Sequence, residues 1–391
     1  MTSPIDLDAR ALARLVQRVF EPTSEDRRLA ILIDLPDSAV PDHDVWRDRR
    51  SLAAEWAAAF AADPDALDME VSFVAYPNAR TNNGDLPDHA WILPCGGPAP
   101  SHLEHLDRAE AVGFDSIFST HQILLAVTEL SATAPMKLQA PRFGFRAATM
   151  PGFRRVMIPA LRLDYVEVDR RCRHLKDLLD HAEGAAVHFS VGGRTHRLDL
   201  DLRHRTGHAS GGLVRGTGTA GNLPSGETYI VPYEGEVDGD PSRTRGELPV
   251  ELDGEVVVYR IEENRAVEVL PHGDSEGDVP QREAEWIAAE PGYANLAELG
   301  LGVLSDFGVE PVGAILLDEK LGLHIAFGRS DHFGGQVGAE DFSSPDAVVH
   351  IDRVYLPATQ PRVQVDGVDL AMPGGEALAL MRNYRYTIEF E

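Results

Sequence analysis

The sequence predicts two domains: an α/β N-terminal domain with a mostly parallel sheet over residues 1–205, and a β-rich α+β C-terminal domain over residues 206–391. Three observations predict this. Helical and strand-like segments alternate through the first half, the arrangement that builds a parallel sheet with helical crossovers. Near residue 205 the chain becomes rich in glycine and small residues. Beyond it, short apolar runs succeed one another with turn residues between them, the pattern of a strand-rich domain. A chain of 391 residues is long enough for two or three domains of about 150 residues each.

Taken in order, residues 7–20 place apolar side chains at helical spacing, and 28–36 (RLAILIDLP) form a short apolar run ending in Asp and Pro, as a buried parallel strand does. Residues 45–61 are helical by composition, 69–77 strand-like, 101–112 helical, and 114–120 (FDSIFST) a further strand. The amphipathic stretch 165–184 reads as a helix, followed by the runs AAVHFSVGG and RTHRLDLDLR. Residues 207–227 are glycine-rich but lead straight into an apolar strand, so they read as a shaped loop rather than a flexible linker. The strands TYIVPYEG, GEVVVYRIEENRAVEVL, GAILLDEKLGLHIAFG, DAVVHIDRVYL, RVQVDGVDL and YRYTIEFE follow, interrupted by one helix near 280–290. The acidic stretch 273–283 reads as a solvated loop.

Composition narrows the function. With 36 basic and 63 acidic residues the net charge is −27, a field that repels nucleic acid and anionic lipid. No apolar run approaches the roughly 18 residues needed to cross a bilayer, and the opening residues lack the basic and apolar regions of a signal peptide. Two cysteines, Cys95 and Cys172, are too few for a disulfide scaffold or a thiolate zinc site. The expectation is a cytoplasmic enzyme with no membrane or nucleic-acid partner.

Chemistry concentrates in four segments of the second half: GNLPSGETYIVP with Glu227, NLAELGLG with Glu298, GLHIAFG with His324, and VVHIDRVYL with His350 and Asp352. In each, a titratable side chain stands where the pattern demands burial. An unpaired buried carboxylate costs several kcal/mol or more, so such groups are paired or hold a metal. Residues i and i+2 of a strand share a face, so His350 and Asp352 point together. Three carboxylates and two imidazoles suit one or two divalent ions such as zinc, cobalt, manganese or iron(II), which makes the C-terminal half a metal-binding domain. With two ions, a carboxylate can bridge them and hold a water that attacks a polarised carbonyl. With one, two histidines and a carboxylate form the facial triad of an oxygen-activating iron(II) site.

The ordered set N-x-P-x-x-E, E-L-G-x-G, H-I-A-x-G and H-x-D resembles the M29 (aminopeptidase T/aminopeptidase S) metallopeptidase family, with DEKLGLHIAFG especially close. The first half is also similar, notably RFGFRAATMPGF and the helix up to LLDHAEG. The resemblance implies that Glu227, Glu298, His324, His350 and Asp352 ligate two divalent metals. It further implies that the protein is a homodimer and that its substrates are short peptides or other small molecules, from which N-terminal residues are removed. Those peptidases carry a catalytic tyrosine seven residues beyond the H-I-A-x-G histidine. Here that position is Asp331, within GRSDHFGG. Asp331 or His332 is therefore the expected substitute proton donor, with Arg329 positioned for a substrate carboxylate. The sequence also resembles the 2,5-dihydroxypyridine 5,6-dioxygenases, which open a pyridine ring with a single iron(II). That alternative keeps His350 and Asp352 as ligands, adds His324, and turns Glu227 into a base. His89 and His121, which follow apparent strands of the first half, read as surface-loop histidines, the alternative being that they line a cleft.

Overall fold

The computed structural model describes residues 6–271 and 277–390. They divide into two compact units. One holds the chain up to Asp169 together with Gly212–Ser225, and the other holds Arg170–Gly211 together with Gly226 onward. A division at residue 205 therefore gives way to an interleaved one. The reason lies in strand pairing. Ala220–Asn222 pairs in parallel with Arg146–Thr149, whereas Gly184–Val191 and Arg194–Asp201 form a hairpin within an antiparallel sheet.

The first unit is built on a seven-stranded sheet. Its order is Ala220–Asn222, Arg146–Thr149, Ile123–Ala126, Arg28–Leu35, Glu70–Pro77, His89–Leu93, Val112–Gly113, with the first five strands paired in parallel and the last two pairings antiparallel. Seven of the eight residues of the central strand Arg28–Leu35 are buried, the continuous apolar signature of a strand covered on both faces. Helix Ala9–Phe20 buries Leu12, Leu15, Val16, Val19 and Phe20, and its first turn is capped by the Asp8 carboxylate, which accepts from the Ala11 N–H at 2.7 Å. Helix Asp44–Ala62 follows the same logic, burying Trp46, Ala53, Trp56 and Phe60.

Two segments of this unit depart from expectation. FDSIFST is a helix, Phe114–Thr120, because Phe114, Ile117 and Phe118 fall at i, i+3, i+4 and all three enter one buried cluster, where alternation would have split them. Residues 101–112 form two single 3₁₀ turns, Leu103–His105 and Arg108–Glu110, instead of a helix. His102 and Asp107 spend their side chains on the Glu104 and Ala109 N–H groups and close each turn locally.

The second unit holds two antiparallel sheets. One has eight strands, in the order Arg265–Leu270, Glu255–Glu262, Arg245–Leu252, Arg194–Asp201, Gly184–Val191, Gln364–Ala371, Ala377–Arg382, Arg385–Tyr386. The other has five, in the order His350–Val354, Leu323–Gly328, Leu296–Gly302, Glu227–Ile230, His208–Ser210. Helix Val279–Ala289 lies where one was expected, and it takes up the end of the stretch read as an acidic loop; residues 273–276 of that stretch lie outside the described residues. Among the described residues no helix is long and apolar enough to cross a membrane.

Candidate metal centre

The five-stranded sheet places the candidate residues by register. Asp352 lies opposite Ala326, and Ala326 opposite Glu298; His324 lies opposite Gly300, and Gly300 opposite Tyr229; Gly302 lies opposite Glu227. Residues directly opposed across antiparallel strands share a face, and so do residues two apart along a strand. Glu227, Glu298, His324, His350 and Asp352 therefore all rise from one face, over a floor of small residues. Two of those are glycine by necessity. A Cβ at position 300 would sit 1.8 Å from His324 Nε2, and one at 302 would sit 2.2 Å from the Lys320 carbonyl carbon.

Glu298 stands at the centre, on a strand whose seven residues are all buried. It turns one oxygen to each histidine: His324 Nε2 lies 3.1 Å from Oε1, and His350 Nε2 3.3 Å from Oε2. Glu227 Oε2 lies 3.6 Å from His324 Nε2, and Asp352 Oδ1 lies 3.4 Å from His350 Nε2. Two donor groups result, Glu227–Glu298–His324 and Glu298–His350–Asp352, each with its ligand atoms within 4.8 Å of one another. They share Glu298. Both imidazoles donate their other nitrogen to a backbone carbonyl, His350 Nδ1 to Arg329 at 2.8 Å and His324 Nδ1 to Gly322 at 3.4 Å. Such bonds hold Nε2 toward a metal and fix the tautomer. The donor set and its orientation fit one or two divalent cations.

Without a cation the groups neutralise one another. Burial pushes the Glu298 carboxyl up, but the two imidazoles bonded to it outweigh burial and hold it below the usual carboxylate range. Burial pulls His324 down, yet the bond to Glu298 and the charges of Glu298, Glu227 and Asp352 raise it to about 9. His350 is raised well above its ordinary value against burial, chiefly by Asp352, and Asp352 is lowered in turn by His350.

Behind Glu227 stands a buried cation that sequence reasoning passed over. Lys320 Nζ contacts Glu227 Oε1 at 2.5 Å and also Glu319. Burial disfavours its charge, but the two carboxylates raise its pKa. Glu319 is pushed up to about 8, by burial first and then by Glu227 and Asp352 against the pull of Lys320. In sequence Lys320 follows Asp318 and Glu319 at the entrance to the His324 strand, and only its scarcity, as one of three lysines, singles it out. Tyr229 was also passed over, although alternation from Glu227 puts it on the same face.

Asp331, His332 and Arg329 lie on the turn after the His324 strand. Arg329 and Asp331 are paired with each other through two contacts, Nε to Oδ1 at 2.6 Å and Nη2 to Oδ2 at 3.0 Å. Burial raises Asp331, but Arg329 outweighs it, so the carboxyl is held low and ionised. The His332 ring lies 5.5 Å from that of His350; burial and then the His350 charge lower it to about 4, so it is neutral near pH 7. His121 is not a surface histidine. It is buried, with Nε2 3.0 Å from Ser72 Oγ and Nδ1 on the Ile117 carbonyl. His89 opens the strand His89–Leu93, its ring 5.1 Å from Trp91.

Comparison with solved structures places the fold. The chain has the fold of 2,5-dihydroxypyridine dioxygenase from Pseudomonas putida KT2440, at 15% identity, a TM-score of 0.59 and coverage of 98% of this chain and 99% of that one. It is also similar to AmpT from Thermus thermophilus, at 16% identity, a TM-score of 0.52 and coverage of 97% of this chain and 99% of that one. The resemblance to the M29 aminopeptidases and to the dioxygenases is thus borne out at the level of fold. In sequence, the chain matches no family model and no curated protein.

Proposed function

We propose that the protein is a metal-dependent hydrolase that removes N-terminal residues from small peptides. The observation that carries this reading is the sharing of Glu298 between two donor groups, an arrangement that suits a pair of cations with one bridging carboxylate. When bound, the cations would supply Lewis acidity, lowering the pKa of water and polarising a carbonyl. The chain's own residues do the rest. Glu298 spans the two groups, and the carbonyls of Gly322 and Arg329 orient His324 and His350. Lys320 anchors one oxygen of Glu227 and leaves Oε2 to the centre. His350 and Asp352 are the more exposed members of the cluster, so a substrate approaches from their side. Zinc, cobalt and manganese are the cations the mixed donor set suits. A cytoplasmic homodimer with no nucleic-acid or membrane partner completes the proposal, in keeping with the acidic charge.

The test is elemental analysis of the purified chain followed by assay of aminoacyl p-nitroanilides and dipeptides after loading with each metal. Two ions per chain with chelator-sensitive hydrolysis is expected. One iron per chain, with oxygen uptake on 2,5-dihydroxypyridine and no hydrolysis, would replace this reading with an iron(II) ring-cleaving dioxygenase. The fold, shared with the dioxygenase as with the aminopeptidase, admits that second reading. Against it, His324 belongs to a different donor group from His350 and Asp352, so the two-histidine, one-carboxylate set is not gathered around one point.

A further inference from the structure

Tyrosine hydroxyls in folded proteins are normally committed, because a buried phenol left without a partner is costly. This chain has nine tyrosines. Seven donate to a carbonyl or carboxylate, Tyr259 and Tyr293 sharing Glu283 among them, and Tyr76 bonds Thr128. Tyr229 differs. Among the described residues its hydroxyl has no hydrogen-bond partner, and it is not one of the fully enclosed polar atoms.

The place it occupies is the metal centre. Tyr229 lies in one row of the sheet with Gly300 and His324, and Gly300 puts no side chain between them. The charged groups that act on its phenol are Glu298, Glu227, Lys320 and Glu319, the carboxylate cluster and its buried cation. The ring is held on two sides, stacked on His208 at 5.1 Å and met edge-on by Phe333 at 4.9 Å. His208 is tied in turn to the Phe333 carbonyl at 3.0 Å. A rigid ring with an uncommitted O–H beside a cluster of potential ligands is a preorganised donor, and donors of that kind stabilise charge that develops during reaction.

We propose that the Tyr229 hydroxyl is the hydrogen-bond donor to the substrate's reacting carbonyl oxygen. This rests on the hydrolase reading above. As the water oxygen bonds to the carbonyl carbon, the π electron pair moves onto the carbonyl oxygen, and Tyr229 donates to that oxygen while keeping its own proton. The pair returns when the C–N bond breaks, and the proton shed by the water ends on the departing amine nitrogen. Tyr229 is therefore a catalytic residue that favours the tetrahedral state over the planar ground state.

The experiment compares the full-length wild-type chain with Tyr229→Phe, which removes one oxygen and keeps the stacked ring. Three quantities are measured on zinc-loaded protein: metal per chain, kcat and KM for leucine p-nitroanilide, and calorimetric Kd values for a tetrahedral phosphonate dipeptide analogue and for leucine. The expected result is unchanged metal content and leucine affinity, KM within about threefold, kcat lower by about 100-fold, and phosphonate binding weakened at least about tenfold. Wild-type hydrolysis with kcat of the variant within threefold, or phosphonate binding equal in the two proteins, overturns the role of Tyr229 and leaves the hydrolase reading standing. Loss of metal in the variant also overturns it, since the residue would then act on the cluster. A fully loaded wild type that neither hydrolyses the anilide nor binds the phosphonate overturns the hydrolase reading itself, and this role with it.

Discussion

Each compact unit buries a carboxylate on an inner strand of a sheet, and the two are kept in opposite ways. Asp34, on Arg28–Leu35, accepts from the Trp46 indole at 2.9 Å and from the Glu129 and Leu130 N–H groups at 2.8 and 2.9 Å. None of those donors can titrate. Glu298, on Leu296–Gly302, is met by two imidazoles with Glu227 and Asp352 beside them. Asp34 is thus saturated by permanent dipoles and ties a strand end to a loop. Glu298 is balanced by protons that a cation can displace. Burial of an acid does not identify a site, but the exchangeability of its partners does.

The sharpest way to break this comparison is to neutralise each carboxyl in turn. Glu298→Gln removes the charge common to both donor groups; metal per chain should fall to one or none, and hydrolysis by about 1,000-fold or more, with the fold retained. Asp34→Asn should keep its metal and lose about 1–3 kcal/mol of stability to denaturant. Equal metal content in the two variants would erase the distinction. Next in size is Gly300→Ala, whose methyl would occupy the place of the His324 imidazole. A loss of roughly 100-fold in activity with weakened metal binding is expected, by analogy with disturbed ligand orientation.

Smaller is the effect of pH on chelated protein. His324 holds its proton up to about 9 in the fold against an ordinary 6.5. Its contribution to stability is therefore complete below pH 6.5 and is lost as pH rises toward about 9. Asp34 is raised from 3.8 to about 6, by burial first, so its contribution has the same sign and is lost over that lower window. Thermal melts in chelator should decline across both windows, by at most about 3 kcal/mol in each. Metal should abolish the upper decline only, since coordination requires the neutral imidazole. The smallest effect is predicted for Asp331→Asn: kcat within about threefold, because Asp331 is an ionised, partly exposed partner of Arg329, and such pairs contribute roughly 1 kcal/mol or less. A loss of 100-fold there would return the proton-donor role to it.

The candidate residues were legible because each breaks its surroundings. Glu298 and His324 interrupt runs of buried apolar residues, and the period of two in His350 and Asp352 already states that they share a face. Glu227 was legible as the first residue of an apolar strand. Tyr229 and Lys320 were not, because a tyrosine in a strand and a lysine at a strand entrance are ordinary in sequence. Only the register that opposes Tyr229 to Gly300, and the fold that brings Lys320 to Glu227, make them unusual. The pairing of Arg329 with Asp331 was likewise invisible, although only Ser330 separates them in the chain, because it depends on the turn that the His324 strand enters.

By itself, the sequence determined which segments are helix or strand where the apolar period was unambiguous, the acidic surface, and the identity of the donor atoms. Tertiary structure decided which half of the chain the 184–201 hairpin and the 212–225 segment join, that FDSIFST coils against a cluster, and that one carboxylate serves two histidines. The physical reason is that periodicity reports how a segment meets its immediate surroundings, whereas register between strands some 25 to 70 residues apart is chosen by packing against the whole sheet.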